Sequence, residues 1–391
     1  MAKQRFVVFE KAHAVFEAPV GDGAEAKIAA SCRQLKRRNP AVRCLMYTEN
    51  DWARTYYRTG HDFDAHAAEG WELRCSSGWR ANFTEHIVTD VPDPRFHSSS
   101  SSSSSPPPPK KKMKFLRANF THFHYDFSRA EAQHRWVRRV ADAVNTEGGG
   151  AVDGVFIDGE RSFFVSPIVQ TCVKDQNRTK RWSQGQRNAH ALLKAALPAN
   201  ATILVNYPVR NLLQGFATGG MIERFVPSGE MIVKLQRLAE CGVLAQVHGI
   251  YLTDEASFHV AAFLVGMGKY SYFGTGRWAG SGETACASWL DAWSDYGKPL
   301  GEPTGDARVI EGAPPLAVWT REFAGGTHVI FNGTRPATPH ASNWRRAITA
   351  TIWWADGTTS GDPGYDVAFD WPAHEAWLRK HRSTASLTPP Q

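Results

Sequence analysis

Acidic and other polar side chains end most of the short apolar runs in this sequence. Asp158 directly follows the run 152–157, and Glu223 lies within the run 221–225. A carboxylate can transfer a proton or attack an electron-poor carbon, so two carboxylates facing each other could catalyse bond cleavage. Similar positions at the ends of apolar runs are occupied by Glu10, Glu49, Asp126, Glu160, Asn206 and His248.

The elements that would position these residues alternate along the chain. Apolar runs followed by segments of helical periodicity are typical of βα units and a parallel sheet. The predicted strands are 6–9, 42–47, 123–127, 152–157, 203–207, 221–225, 243–247 and 270–273. Eight strands in this order predict an α/β fold, a (β/α)8 TIM barrel over residues 1–300. Because the active site of such a barrel lies at the carboxyl ends of its strands, the polar residues should converge there.

The sequence pattern changes beyond the barrel. Residues 316–323 and 329–331 flank Gly325-Gly326 as the strands of a hairpin would, and 352–354 precede a turn at Asp356-Gly357. Residues 314–360 therefore form a small β-rich C-terminal unit with antiparallel strands. Residues 362–391 are predicted to be an irregular tail.

A low-complexity insert interrupts the barrel at about residues 85–121. Residues 98–112 consist of serine, proline and lysine and cannot supply a core. A direct repeat brackets the tract, because the segment 80–84 (RANFT) recurs at 117–121. A local insertion before the third strand is the simplest interpretation.

Composition excludes several classes of partner and cofactor. The net charge is +7, but the basic residues are scattered apart from a cluster at 110–114, and no nucleic-acid-binding motif accompanies them. The sequence contains no stretch of 18 apolar residues, so no membrane-spanning segment is predicted. The six cysteines contain no CxxC pair, and Cys44 and Cys241 are expected to be buried free thiols. No cofactor and no metal are predicted.

Localisation is left open by conflicting signals. The N-terminal residues lack the apolar core and cleavage site of a signal peptide. Five of twelve asparagines nevertheless lie in N-x-S/T sequons, which favours a secretory route. The sequons are at Asn82, Asn119, Asn177, Asn200 and Asn332.

Glycosidic bond cleavage needs one carboxyl group as acid and a second as nucleophile or base. Asp158 and Glu223 are the predicted catalytic pair, with Glu160 as the alternative to Asp158. The apolar neighbours of Glu223 favour a protonated carboxyl, as a general acid requires. The predicted substrate-binding residues are Glu10, Tyr47, Glu49, Asp126, Glu160, Asn206, His248 and Trp278.

Four segments resemble a known group of families: VDGVFIDGE, LMYTEND, YDFSRAEAQHRW and REFAGGTHVIFN followed by IWWADGTTSG. They are similar to the glycosyl hydrolase-like TIM-barrel families, and most similar to the one numbered fifteen, from residue 6 to about 361 without the insert. The resemblance implies a retaining glycoside hydrolase acting on a carbohydrate, with Asp158 on strand four as nucleophile and Glu223 on strand six as acid/base. Glu49 departs from the pattern, since an amide is expected there.

Two alternatives remain open. A non-catalytic carbohydrate-binding or structural barrel could line a sugar groove with aromatic residues such as Trp52, Tyr57 and Trp278. A metal-dependent hydrolase is suggested by His122-x-His124, but the later strands offer Asn206 and Glu223 in place of further histidine ligands. The separation of the two carboxyl groups would distinguish an enzyme from a binding protein.

Overall fold

The computed structural model divides the chain into two compact units. It describes residues 6–9, 23–50, 52–53, 57, 69–79, 81–91, 114–158, 172–206, 215–223, 225–249, 256–275, 294–298, 300–334 and 349–361. The first unit comprises Met1–Phe225, Lys234–Leu252 and Met267–Tyr296, and the second comprises Val226–Val233, Thr253–Gly266 and Gly297–Gln391. The domain boundaries predicted from the sequence stay a prediction.

The first unit contains ten described strands. They are β1 (Phe6–Phe9), β2 (Arg43–Glu49), β3 (Trp52–Ala53), β4 (Asn82–Val91), β5 (Lys114–His124), β6 (Gly154–Asp158), β7 (Thr202–Asn206), β8 (Gly219–Ile222), β9 (Leu244–Gly249) and β10 (Ser271–Thr275). The described helices of the chain are α1 (Gly23–Arg38), α2 (Ala130–Asp142), α3 (Gln176–Ala196), α4 (Gly229–Glu240) and α5 (Ala256–Gly266), with short π and 3₁₀ turns at Ala143–Glu147 and Ser294–Gly297.

Seven of the strands form a parallel sheet in the order β1-β2-β6-β7-β8-β9-β10. The two edge strands meet, because the rings of Phe6 in β1 and Tyr272 in β10 stack with centroids 5.8 Å apart. The sheet is therefore a nearly closed barrel of the TIM type, which confirms the predicted α/β fold class.

The prediction of a third barrel strand at residues 123–127 is wrong. Residues 114–124 form β5, which pairs antiparallel with β3 and β4 in a separate sheet. Strand β2 pairs directly with β6, so that Glu49 lies opposite Asp158. The predicted run 123–127 ends in a turn that begins at Asp126. Polar residues alternate with apolar ones before this turn, unlike the continuous apolar run of a central parallel strand, although His122, Phe123, His124 and Tyr125 are all buried in the structure.

The two copies of the RANFT repeat lie on facing strands. In the ladder between β4 and β5, Thr84 of the first copy is opposite Thr121 of the second. The serine- and proline-rich part of the predicted insert lies outside the described residues.

The central barrel strands β6 and β7 are buried on both faces, as expected for a parallel sheet covered on both sides. Residues 155–157 of β6 and 203–205 of β7 are all buried. Gly154 opens β6 with a φ of +148°, and a Cβ atom there would overlap the backbone of Thr202. Glycine thus allows β6 and β7 to approach closely, which places the ends of both strands side by side.

Two disulfides correct the cysteine predictions. Cys44 on β2 is bonded to Cys32 on α1, so it is not a free thiol, and Cys75 is bonded to Cys172. Cys241 is free, as predicted, but it is exposed. Spacing along the chain could not identify these pairs, since the Cys75–Cys172 bond joins residues 97 positions apart.

The second unit contains a five-stranded antiparallel sheet. Its strands are, in chain and sheet order, β11 (Arg308–Ala313), β12 (Leu316–Glu322), β13 (His328–Asn332), β14 (Thr349–Trp353) and β15 (Thr359–Gly361). Helix α5 packs on β12, β13 and β14. The hairpin predicted around Gly325-Gly326 is confirmed, because β12 and β13 pair on either side of it. No helix in the described part of the chain is both long and apolar enough to cross a membrane.

Candidate active site

Five polar side chains meet at the carboxyl ends of neighbouring barrel strands. Glu49 ends β2, Asp158 ends β6, Asn206 ends β7, and Glu223 directly follows β8. Tyr47 lies two residues before Glu49 and so points to the same face of β2. Hydrogen bonds connect the five in the order Glu49, Tyr47, Asp158, Asn206, Glu223, and we call this set the carboxylate line.

Asn206 joins the two predicted catalytic carboxylates. Its Nδ2 lies 2.8 Å from Asp158 Oδ1 and 2.8 Å from Glu223 Oε2. A side-chain amide nitrogen carries two hydrogens, so Asn206 donates one to each carboxylate. The opposite amide orientation would place its oxygen against two carboxylate oxygens. Asn206 is only 2% exposed, which holds this bridge away from bulk water.

Tyr47 joins Asp158 to a third carboxyl group. Its Oη lies 2.7 Å from Glu49 Oε1 and also donates to Asp158 Oδ2. Tyr47 is 2% exposed and Glu49 is 4% exposed, while Asp158 and Glu223 are half-buried. The Tyr47 ring packs against Phe156 of β6 with centroids 5.5 Å apart. The phenol is therefore held by packing as well as by hydrogen bonds.

Hydrogen bonds to backbone carbonyls hold the strand ends that carry the carboxylate line. The indole Nε1 of Trp136 on α2 donates to the Glu49 carbonyl at 3.0 Å. The Tyr57 hydroxyl donates to the Tyr47 carbonyl at 2.9 Å, and the Asn50 amide donates to the Asp158 carbonyl at 2.9 Å. Sites supported in this way on rigid elements hold their side chains more accurately than sites on loops.

A buried histidine supports the turn after β2. His190 Nε2 lies 2.6 Å from Asn50 Oδ1, and its ring stacks on Phe216 with centroids 4.5 Å apart. Burial lowers the pKa of His190 to about 3, so its imidazole is neutral at physiological pH. Because the Asn50 oxygen can only accept, the neutral ring carries its hydrogen on Nε2.

The line brings two acidic groups together. Among the described residues, Glu223 is in no ion pair and accepts a hydrogen bond from Asn206. Asp158 accepts from the same amide nitrogen. Two carboxyl groups held by one amide could serve as proton donor and nucleophile in a bond cleavage.

The remaining predicted site residues lie elsewhere or outside the described residues. The Asp126 carboxylate accepts from Arg178 at 2.7 Å and from the Ser128 hydroxyl at 2.5 Å, which are structural partners at the start of α2. His248 is half-buried on β9. Glu10, Glu160 and Trp278 are outside the described residues.

Sequence reasoning missed the supporting residues Asn50, Trp136 and His190. Nothing in the local sequence marks the Trp136 indole as a donor to the Glu49 carbonyl. His122 and His124 are buried on β5. The described residues contain no group of three or more His, Cys, Asp or Glu that could hold a metal ion.

Comparisons with known proteins show which family the chain belongs to. Among solved structures, the chain is similar to an alpha-amylase from H. orenii, with 8% sequence identity, 79% of this chain and 74% of that chain covered, and a TM-score of 0.39. No curated protein matches. A family model described as hypothetical glycosyl hydrolase family 15 matches residues 109–327, which is more than half of the chain. The chain belongs to this glycosyl hydrolase-like family.

Proposed function

We propose that this protein hydrolyses glycosidic bonds of a carbohydrate with retention of anomeric configuration. In this proposal Asp158 is the nucleophile and Glu223 is the general acid and base. The observation that carries it is the Asn206 bridge between the two carboxylates. Membership of a glycosyl hydrolase-like family supports the substrate class.

The bridge limits the separation of the two carboxylates. Asp158 Oδ1 and Glu223 Oε2 each lie 2.8 Å from the same nitrogen, so their separation is at most twice that distance. Retaining glycosidases hold their carboxyl groups about 5–5.5 Å apart, and inverting enzymes about 6.5–9.5 Å apart to admit a water molecule. The spacing favours direct attack by Asp158 on the sugar over activation of a water between the two groups.

The first step would form a bond between Asp158 and the anomeric carbon. Glu223 donates its proton to the glycosidic oxygen, the bond from this oxygen to the anomeric carbon breaks, and the aglycone leaves as an alcohol. In the second step the ionised Glu223 takes a proton from water, and the resulting hydroxide attacks the anomeric carbon. Asp158 then leaves as a carboxylate, and Glu223 is again protonated.

Asn206 and Tyr47 would orient the nucleophile through both steps. Asn206 holds one oxygen of Asp158, and Tyr47 holds the other. Asn206 also fixes the orientation of Glu223, so one buried amide sets the geometry of both catalytic groups. Positioning of reacting groups in this way contributes to catalysis by removing the entropy of alignment.

The test compares two variants on purified protein, after a screen of aryl glycosides and oligosaccharides has found a substrate. Asp158→Asn should abolish turnover of every substrate, because an amide cannot act as the nucleophile. Glu223→Gln should lower turnover of substrates with poor leaving groups by about 10²–10⁴-fold. With activated aryl glycosides, which need no protonation, it should still release the aglycone in a burst, because only the second step then lacks its base. NMR of the first-formed anomer should show retention.

Asp153→Asn is the matched control. Asp153 precedes β6, at the end of the strand opposite to Asp158, and bonds with Lys36 Nζ at 2.7 Å and the Cys44 amide at 2.8 Å. This variant should lose stability and keep the leaving-group dependence of the wild type. Equal, modest losses from Asp158→Asn and Glu223→Gln, or glycan binding without turnover across the screen, would contradict the proposal and favour a carbohydrate-binding barrel.

A further inference from the structure

Trp79 is the most exposed of the large apolar side chains in the described part of the chain. It is 77% exposed, whereas tryptophan is highly buried on average in folded proteins. An indole left in water contributes little to the stability of the fold, so its position needs another explanation. Ser76, Ser77 and Gly78 precede it, and all three are small and exposed. The turn itself therefore adds no bulky side chain that would compete with a ligand for the indole.

Hydrogen bonds and a disulfide fix residues 75–79, which we call the Trp79 turn. The Cys75 amide donates to the Trp79 carbonyl at 2.8 Å, and the Gly78 amide donates to the Cys75 carbonyl at 2.8 Å. Cys75 is bonded to Cys172, and the Ser76 amide donates to the Cys172 carbonyl at 2.9 Å. A ligand that contacts Trp79 therefore meets a side chain on a rigid support, which lowers the entropy cost of binding.

The Trp79 turn is attached to the helix that follows barrel strand β6. Cys172 lies four residues before α3 begins, and Arg178 in the first turn of α3 donates to the Arg74 carbonyl at 3.0 Å. The helix of a βα unit begins on the side of the sheet where the preceding strand ends. Because β6 ends at Asp158, the turn lies on the side of the barrel that carries the carboxylate line.

A second connection joins the Trp79 turn to the end of β2. The Leu73 amide donates to the His124 carbonyl at 2.8 Å, and His124 pairs with Trp52 of β3. Trp52 is three residues after Glu49, a separation that the chain spans in at most about 11 Å. Two independent connections thus place Trp79 beyond the same strand ends as the carboxylate line.

We propose that Trp79 is a platform for one sugar ring of an oligosaccharide, outside the carboxylate line. The apolar face of a pyranose packs on the flat face of an indole. Arg74 can donate to the hydroxyl groups of the same sugar, because its guanidinium carries five N–H donors and its contacts with Glu72 and the Gly78 carbonyl use two of them. The choice of a carbohydrate rests on the proposed function, whereas the exposure and the fixation of Trp79 do not.

Calorimetric titration of the full chain with hexasaccharides of glucose, mannose, galactose and xylose tests the platform. The chain carries Asp158→Asn so that hydrolysis does not interfere. Adding Trp79→Ala should raise the Kd of the hexasaccharide that binds by roughly 3- to 10-fold, because one aromatic contact is lost, and Trp79→Tyr should retain most of the affinity. Since Trp79 is exposed, Trp79→Ala should keep the melting temperature of its parent, which separates a loss of binding from unfolding.

Tyr270→Ala is the matched control. Tyr270 is also an exposed aromatic residue, but it directly precedes β10 and so lies at the amino ends of the barrel strands. This variant should bind each hexasaccharide as its parent does. Iodide quenching gives a second measurement: bound hexasaccharide should protect part of the tryptophan fluorescence, and Trp79→Ala should lack this protection.

Activity measurements separate a failure of this proposal from a failure of the proposed function. On substrates found in the screen, Trp79→Ala should raise KM for an oligosaccharide and leave kcat and KM for an aryl monoglycoside unchanged, because a single sugar at the carboxylate line does not reach Trp79. Hexasaccharide binding that depends on Trp79 without any turnover would support the platform and contradict the proposed hydrolysis.

Three results would overturn the platform. The first is a parent chain that binds none of the hexasaccharides, and the second is an unchanged Kd in Trp79→Ala. The third is self-association of the parent chain that Trp79→Ala abolishes while sugar binding stays the same, since the indole would then contact a second copy of this chain.

Discussion

Polar side chains are bonded in opposite ways in the barrel and in the antiparallel sheet. At the barrel strand ends, Asp158 and Glu223 are held to one amide, so two acidic groups are neighbours. In the second unit, the Arg321 guanidinium donates to the carbonyls of Leu264 and Val265 at 3.2 and 3.1 Å. Thr320 likewise pairs across the sheet with His328 at 2.6 Å.

This contrast distinguishes polar side chains that stabilise the fold, in the antiparallel sheet, from polar side chains at the barrel strand ends that are available for chemistry. Arg321 donates to carbonyls that a helix leaves without a partner at its carboxyl end. Its positive charge also interacts favourably with the helix dipole at that end of α5. The carboxylate line instead places two acidic groups side by side, with one amide as their shared donor. Strained or repulsive groups persist where function requires them, and this is the physical argument for placing chemistry at the barrel ends.

Removal of residues 300–391 should lower the stability of the folded chain more than any other change described below. It deletes β11–β15, which cover α5, a helix with buried residues at 256 and at 259–266. Because the second unit is discontinuous in sequence, the cut would leave α5 attached to the barrel chain without its sheet. We expect an aggregating or unfolded product by size-exclusion chromatography and circular dichroism.

The control for this truncation is a chain that ends at residue 361, which retains every described strand of the second unit. A protein of residues 1–299 that melted cooperatively at the wild-type temperature would show that the sheet does not stabilise α5. The two units would then differ less than the burial pattern indicates.

The parts of the fold that the sequence predicted are those with strong local signals. Continuous apolar runs identified β6 and β7 to within two residues, since a strand buried on both faces tolerates few polar residues. The third strand failed because 123–127 is short and its true partner lies in β4, across the insert. Pairing across such a distance leaves no local signal.

The candidate site was likewise predicted in part, where a local signal marks the residues. The rule that barrel sites lie at strand ends brought Glu49, Asp158, Asn206 and Glu223 together in the prediction, and the structure connects them. The rule could not exclude Asp126, whose strand is absent from the barrel. It also could not reveal the roles of Trp136 and His190, which depend on how α2 and α3 pack.

Acidification should weaken both units, with a smaller effect than truncation. Burial lowers the pKa values of His190 in the first unit and His259 in the second to about 3. An unfolded histidine binds a proton near pH 6.5, so between these values the unfolded chain holds more protons than the folded chain. Stability is therefore full above about pH 6.5 and falls as pH decreases towards 3. At pH 4.5 each histidine should cost on the order of 2 kcal/mol.

Urea unfolding at pH 7 and pH 4.5 measures this loss. His259→Phe should make stability less dependent on pH, because the folded chain no longer excludes a proton there. His134→Gln is the control, since His134 is exposed and hydrated in the folded chain. An unchanged pH dependence in His259→Phe would show that the buried imidazole is not responsible.

The smallest effect should be a gain in stability from Glu223→Gln. The Gln oxygen can still accept from Asn206, and a neutral amide cannot repel Asp158, so we expect the free energy of unfolding to rise by at most about 0.5–1 kcal/mol. In the second unit, Arg321→Met should instead lower it by about 1–3 kcal/mol, because two buried carbonyls lose their donor. Thermal and urea denaturation at pH 7 would measure both. A loss of stability in Glu223→Gln as large as that in Arg321→Met would mean that Glu223 stabilises the barrel end, and the contrast between the two regions would fail.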